Sequence, residues 1–162
     1  MILGMNTFTF VHVLISLLGI ASGFVVLCGL FTSDRLPGWT LTFLLTTVAT
    51  SVTGFGFHRD HLLPSHVVGV ISLVFLAVAI LALYRMRLAG PWRWIYVATA
   101  MASLYLNVFV LVVQSFQKIP PLHALAPMGT EPPFAATQGI VLLAFVVLGV
   151  LASRKFYPLS PA

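Results

Sequence analysis

Acidic side chains are almost missing: Asp34, Asp60 and Glu131 are the only carboxylates in 162 residues. None of them falls inside an apolar run, which argues against a carboxylate relay for protons or sodium. Charged residues of both signs amount to 7%, against roughly a quarter in a soluble domain. That deficit excludes an ordinary soluble fold and a disordered chain alike. Cysteine occurs once, as Cys28, deep in the first apolar run. A lone thiol forms no internal disulfide and runs no dithiol chemistry. Bulky Leu27 before it does not suit lipoprotein cleavage, so Cys28 reads as a packing residue. No Lys or Arg precedes Arg35, so the first apolar run lacks the basic flank of a signal peptide. It is also too long for one, and a retained span is expected. A phosphate-binding glycine loop, a nucleophile elbow and an HExxH helix are all absent. No catalytic residue is therefore named, and whether the chain is an enzyme stays open.

What the chain has instead is apolar length. Hydrophobic residues make up 60%, and the mean hydropathy is +1.09. A helix needs about 20 apolar residues to cross a bilayer, and five segments qualify: 8–31, 39–57, 65–84, 94–116 and 135–152. The expected fold is all-α: one polytopic transmembrane domain over residues 1–162, a five-helix bundle with a long outer loop at 117–134. The net charge of +5 is carried by Lys and Arg placed between or beyond the apolar runs. They read as topology signals, not as a nucleic-acid surface. Arg35, Arg85, Arg87, Arg93, Arg154 and Lys155 fall on one side, and Arg59 and Lys118 on the other. By the positive-inside rule the N-terminus lies outside and the C-terminus is cytoplasmic. The expected address is the bacterial inner membrane, and Trp39, Tyr84, Trp92 and Trp94 form an aromatic belt on the inner side. A faint repeat pairs His12 with His66 and Trp39 with Trp92, offsets of 54 and 53 residues. Two parallel two-helix units with an added fifth helix would produce it.

That topology collects all five histidines on the outer side. Each helical step turns about 100°, so His12, Ser16, Gly19 and Gly23 share one face of the first span. Thr47, Ser51, Gly54 and His58 share a face of the second, and Ser103, Asn107, Gln114 and Gln117 a face of the fourth. Polar faces in lipid turn inward and satisfy one another. The expectation is a polar, histidine-bearing pocket in the outer half of the bundle over a dry inner half. Neutral imidazole binds metals, and paired histidines ligate haem iron. His12 and His66, with Gly19 and Gly69 below them and Asn107 and Gln114 nearby, are the candidate cofactor-binding residues. His12, His58 and His66 are the candidate metal ligands, and His58 with His61, at HxxH spacing, could equally join His66 around copper or zinc. The other reading of the same residues is interfacial anchoring and close helix packing. In loop 117–134, Pro120, Pro121, Pro127, Pro132 and Pro133 stiffen a segment expected to act as a lid, carrying His123 or Glu131 towards the other histidines.

The run from Asn107 through Gln114, Lys118-Ile119-Pro120, Leu122-His123-Ala124-Leu125-Ala126-Pro127, Glu131-Pro132-Pro133-Phe134 and Gln138 resembles uncharacterised small multi-span bacterial membrane proteins. The resemblance covers the last third of the chain, the rest only by hydropathy, and implies no activity. In its outer-facing histidines on a short bundle, the chain also resembles haem-handling membrane proteins such as the haem A synthase and cytochrome b561 groups. Their paired-histidine motifs have no residue-by-residue counterpart here. Two functions are expected from different classes. One is a cofactor protein holding haem b or copper for electron transfer or cofactor handling. The other is a non-enzymatic membrane subunit or assembly factor, docking partner helices or a second copy; a quinone or lipid in the same pocket is the third option.

Overall fold

The computed structural model describes residues 6–57 and 64–158. The described chain is helical throughout its regular structure, without a strand. Five long helices follow in order: α1 (Thr7–Thr32), α2 (Pro37–Gly54), α3 (Pro64–Ile80), α4 (Trp92–Lys118) and α6 (Pro132–Lys155), with a short α5 (Pro120–Leu125) before the last. The helices begin and stop for local reasons. Asn6 caps α1 by accepting the Thr9 amide at 2.7 Å, and Ser33 ends it in the left-handed conformation. Pro37 opens α2, Pro120 opens α5 and Pro132 opens α6, because the first helical position has no bond for its missing N–H to lose. The expected loop 117–134 is thus partly helical, its prolines starting helices as well as stiffening turns.

α3 ends in a π-turn, Leu81–Arg85, in which the Met86 amide reaches the Leu81 carbonyl at 2.9 Å. One residue more than an α-turn is looped out at such a site. The chain then reverses through Arg87 and Leu88, both left-handed, with the Leu88 amide on the Ala82 carbonyl at 3.0 Å.

α4 is the hub: it touches α1, α2, α3 and α6, while α1 also packs on α2 and α6. The dry core lies where Val26, Leu27 and Leu30 of α1, Phe43 and Leu44 of α2, Leu76 and Ala79 of α3, and Val97, Ala100 and Leu104 of α4 interdigitate. Gly23 makes that contact close. A Cβ there would lie 2.5 Å from Leu104 and 3.0 Å from Phe43. Cys28, expected to pack, is exposed instead, because it lies about 140° around α1 from Gly23.

The outside is apolar. Leu45 is 61% exposed, Val74 57%, Leu143 64% and Ile140 69%, a surface suited to lipid. Four helices are long and apolar enough to cross a membrane: Thr7–Thr32, His66–Arg85, Trp92–Lys118 and Pro132–Lys155. This is the build of a multi-pass membrane protein. α2 differs from these four. Its 18 residues span about 27 Å, and six of them are threonine. The hydroxyls of Thr40, Thr42, Thr46 and Thr53 each donate to a carbonyl four or five residues back, which removes most of their cost in an apolar setting.

Candidate functional site

The helices turn two different ends outward. The N-terminal end of α1, the C-terminal ends of α2 and α4 and the start of α3 form a histidine end. The turns 33–36 and 86–91 and the end of α6 form a basic end.

At the histidine end, His12 on α1 meets α2. Its Nδ1 lies 2.8 Å from Thr53 Oγ1, and its ring stands edge-on to Phe57 at 5.0 Å. The Thr53 hydroxyl also lies 2.7 Å from the Ala49 carbonyl and 3.2 Å from the Thr50 carbonyl. With its proton on the Ala49 carbonyl, Thr53 Oγ1 accepts and His12 Nδ1–H donates. In the neutral ring this leaves the lone pair on Nε2. A histidine held by its Nδ1–H with Nε2 presented is the arrangement by which metal ligands are oriented. Thr53 was not among the candidate residues in the sequence. The spacing Thr46, Thr50, Thr53 marks a second stripe on α2, beside the one through Thr47 and Ser51, and that stripe is the signal for it.

His66 lies on the other flank of α2, where its ring stacks on Phe55 at 5.6 Å and 19°. The two histidines thus both meet the residues that follow α2, His12 at Phe57 and His66 at Phe55. His58 and His61 lie outside the described residues. Among the described residues no three His, Cys, Asp or Glu side chains gather as a metal site.

Asn107 is deeper, where α1, α2 and α4 meet. Its Nδ2 donates to Thr47 Oγ1 at 3.3 Å, and Gly19 stands opposite, a Cβ there being 3.2 Å from Thr46 Oγ1 and 3.6 Å from Asn107 Nδ2. The Ser51 and Ser72 hydroxyls bond across α2 and α3 at 3.3 Å, and Gln138 of α6 donates to the Phe109 carbonyl at 3.1 Å. Gln114 is exposed, about two turns beyond Asn107. The polar faces of the bundle accordingly bond to one another. Little space is left over the glycines: Thr46, Thr47 and Asn107 occupy it at Gly19, and the Phe55 ring, 3.3 Å from a Cβ, occupies it at Gly69.

The segment after α4, expected as a lid over the histidines, packs back on α4. A cavity of about 150 Å³ lies beneath it, lined by Val113, Phe116, Gln117, Ala126, Met128 and Phe134 among others, with no histidine. It therefore covers the cleft between α4 and α6. His123 is exposed, and Leu125 is 56% exposed. Glu131 ties its own turn, accepting the Met128 and Thr130 amides at 2.8 and 3.0 Å. Those bonds, the Met128 one foremost, hold its carboxyl below the ordinary value.

The basic end is more tightly built than expected of plain dry packing. Arg93 donates to the carbonyls of Ser153 and Phe156 and lies 3.7 Å from the Tyr157 ring centre. Ser33 donates to the Lys155 carbonyl at 2.7 Å and accepts the Tyr157 amide at 3.0 Å. Phe156, wholly buried, sits against Tyr96. These contacts satisfy the last carbonyls of α6, which its own helix cannot.

No family model, no curated protein and no solved structure matches the chain. What the chain does is therefore argued from the geometry just described.

Proposed function

We propose that the protein binds a metal-centred cofactor at its histidine end through His12 Nε2, and that the cofactor is a copper ion. The observation that supports this is the Thr53 hydroxyl. Committed to Ala49, it orients His12 and leaves Nε2 as a Lewis base. Imidazole suits copper, and an ion needs donor atoms only. Haem b fits less well, since a macrocycle between α1 and α3 needs the room at Gly19 and Gly69 that Thr46, Thr47, Asn107 and Phe55 fill. His58 and His66 are the sequence's candidates for completing the ligand set. The test is detergent-purified protein equilibrated with Cu(I) bicinchoninate, followed by elemental analysis and an absorption spectrum. One copper per chain, lost in His12→Ala, is expected. No stoichiometric copper, or copper unchanged in His12→Ala, overturns the reading, and a Soret band would put haem in its place.

A second reading, a non-enzymatic subunit or assembly factor, is favoured by α6. Only Phe145 and Ala152 of its residues are buried, and nothing lies within 4 Å of a Cβ built on Gly139. Cysteine cross-linking at position 139 that yields a discrete adduct in membranes supports it; monomer alone counts against it.

The finer topology belongs to the same proposal. We read α2 as a fifth span, with the histidine end outside a bacterial inner membrane. The basis is the six-to-two distribution of Lys and Arg. Impermeant thiol labelling of single cysteines at positions 123 and 87 tests it. Labelling of the first alone in intact cells is expected, and labelling of the second alone reverses the orientation.

A further inference from the structure

The turn between α1 and α2 is narrow and rigid. Ser33 and Leu36 are both left-handed, and a Cβ on Gly29 would lie 2.8 Å from the Asp34 carbonyl oxygen. Arg35 stands in this turn with its backbone already used, its carbonyl accepting the Thr40 hydroxyl at 2.7 Å. Arg35 is half-buried, and its Nε is shut off from solvent with no hydrogen-bond partner among the described residues. That nitrogen is out of a ligand's reach, but the two terminal nitrogens of the same guanidinium are not shut off and carry no hydrogen bond among the described residues. The one acid at this end, Asp34, accepts the Leu36 amide at 3.0 Å. The other cations of this end are Arg85, Arg87, Arg154 and Lys155, all exposed, and Arg93 is spent on the α6 carbonyls. Beside them stand Trp39, Tyr84 and Trp94, each about half exposed (48%, 54% and 52%). Such amphipathic rings sit at the headgroup level of a bilayer.

We propose that the basic end holds an anionic phospholipid, its phosphate recognised by Arg35 and its acyl chains lying along the apolar surface beside Trp39 and Tyr84. The chemistry is that of a phosphate oxygen meeting a planar guanidinium, for which Arg is better suited than Lys. The charge imbalance selects an anion. The aromatic and apolar surroundings select a lipid over a free ion.

The test uses the full chain in detergent, titrated with dioleoyl phosphatidylglycerol or dioleoyl phosphatidylcholine and read by native mass spectrometry and thermal unfolding. Retention of phosphatidylglycerol should exceed that of phosphatidylcholine, and Arg35→Gln should reduce the preference about fivefold, the worth of one cation near an anionic surface. Arg35→Lys, which keeps the charge and spares the fold, should recover only part of it. Arg154→Gln removes an equal charge away from the turn and should leave it intact. Equal retention of the two lipids overturns the proposal, as does an equal loss in Arg154→Gln, which would mean diffuse surface charge. Inorganic phosphate that stabilises the protein as well as phosphatidylglycerol does would also overturn it, in favour of a free-anion site.

Discussion

The two ends of the bundle use polar groups in opposite ways. At the histidine end, three bonds between helices run from side chain to side chain: His12 to Thr53, and, deeper, Asn107 to Thr47 and Ser51 to Ser72. At the basic end bonds run from side chain to main chain, with Arg93 and Ser33 holding the carbonyls and amide at the end of α6 and just beyond it. The first pattern leaves a ring nitrogen presented and adaptable. The second closes a helix terminus and fixes the tail. A site that exchanges a ligand belongs with the first, and an anchor with the second.

Substitutions can break this contrast, and the largest effect should come from the layer both ends share. Gly23→Leu forces a side chain into Leu104 and Phe43, and a loss of about 3 kcal/mol is expected. Aggregation or early thermal unfolding in size-exclusion assays would show it; a normal melting profile would mean the α1–α4 approach is not close. Next comes Arg93→Ala, which strips the α6 carbonyls of a charged donor, an expected cost of about 2 kcal/mol. Limited proteolysis should then cut near Tyr157 while the histidine end keeps its copper. His12→Ala should cost only about 0.6 kcal/mol yet abolish the copper stoichiometry, so a large drop in melting temperature would make His12 structural. The smallest effect is that of pH on Glu131. Its carboxyl is held below the ordinary 4.5, so its contribution is full above that value and fades as pH falls through the depressed one. Protection of the Met128 and Thr130 amides against exchange, relative to a free peptide, should fall only in that acid range, and Glu131→Gln should lower it already at neutral pH.

The helices were legible because apolar length and flanking prolines are local properties. The expected spans 8–31 and 94–116 became Thr7–Thr32 and Trp92–Lys118. The polar stripes were legible for a related reason: one face of a helix is a matter of residue spacing. What those faces meet is not. Nothing local says that Gly19 is filled by Asn107 and two threonines, or that the segment after α4 packs back on α4. Arg93 was visible only as a topology signal. Its partners lie some 60 residues on, at Ser153 and Phe156, and backbone carbonyls have no sequence signature. Thr53 shows the middle case, with a stripe legible at 46, 50 and 53 but a role that appears only once His12 stands opposite.

The π-turn at Leu81–Arg85 makes α3 a helix with one residue to spare. Deleting a single position there would let the turn relax to the ordinary pitch, with Ser72, Leu76 and Ala79 still facing their present neighbours and the reversal through Leu88 still in reach. The same deletion higher in α3 would swing everything beyond it by about 100°. In a chain of this architecture with one residue fewer, the gap therefore belongs inside this helix, between positions 80 and 86, and not in the turn that follows it.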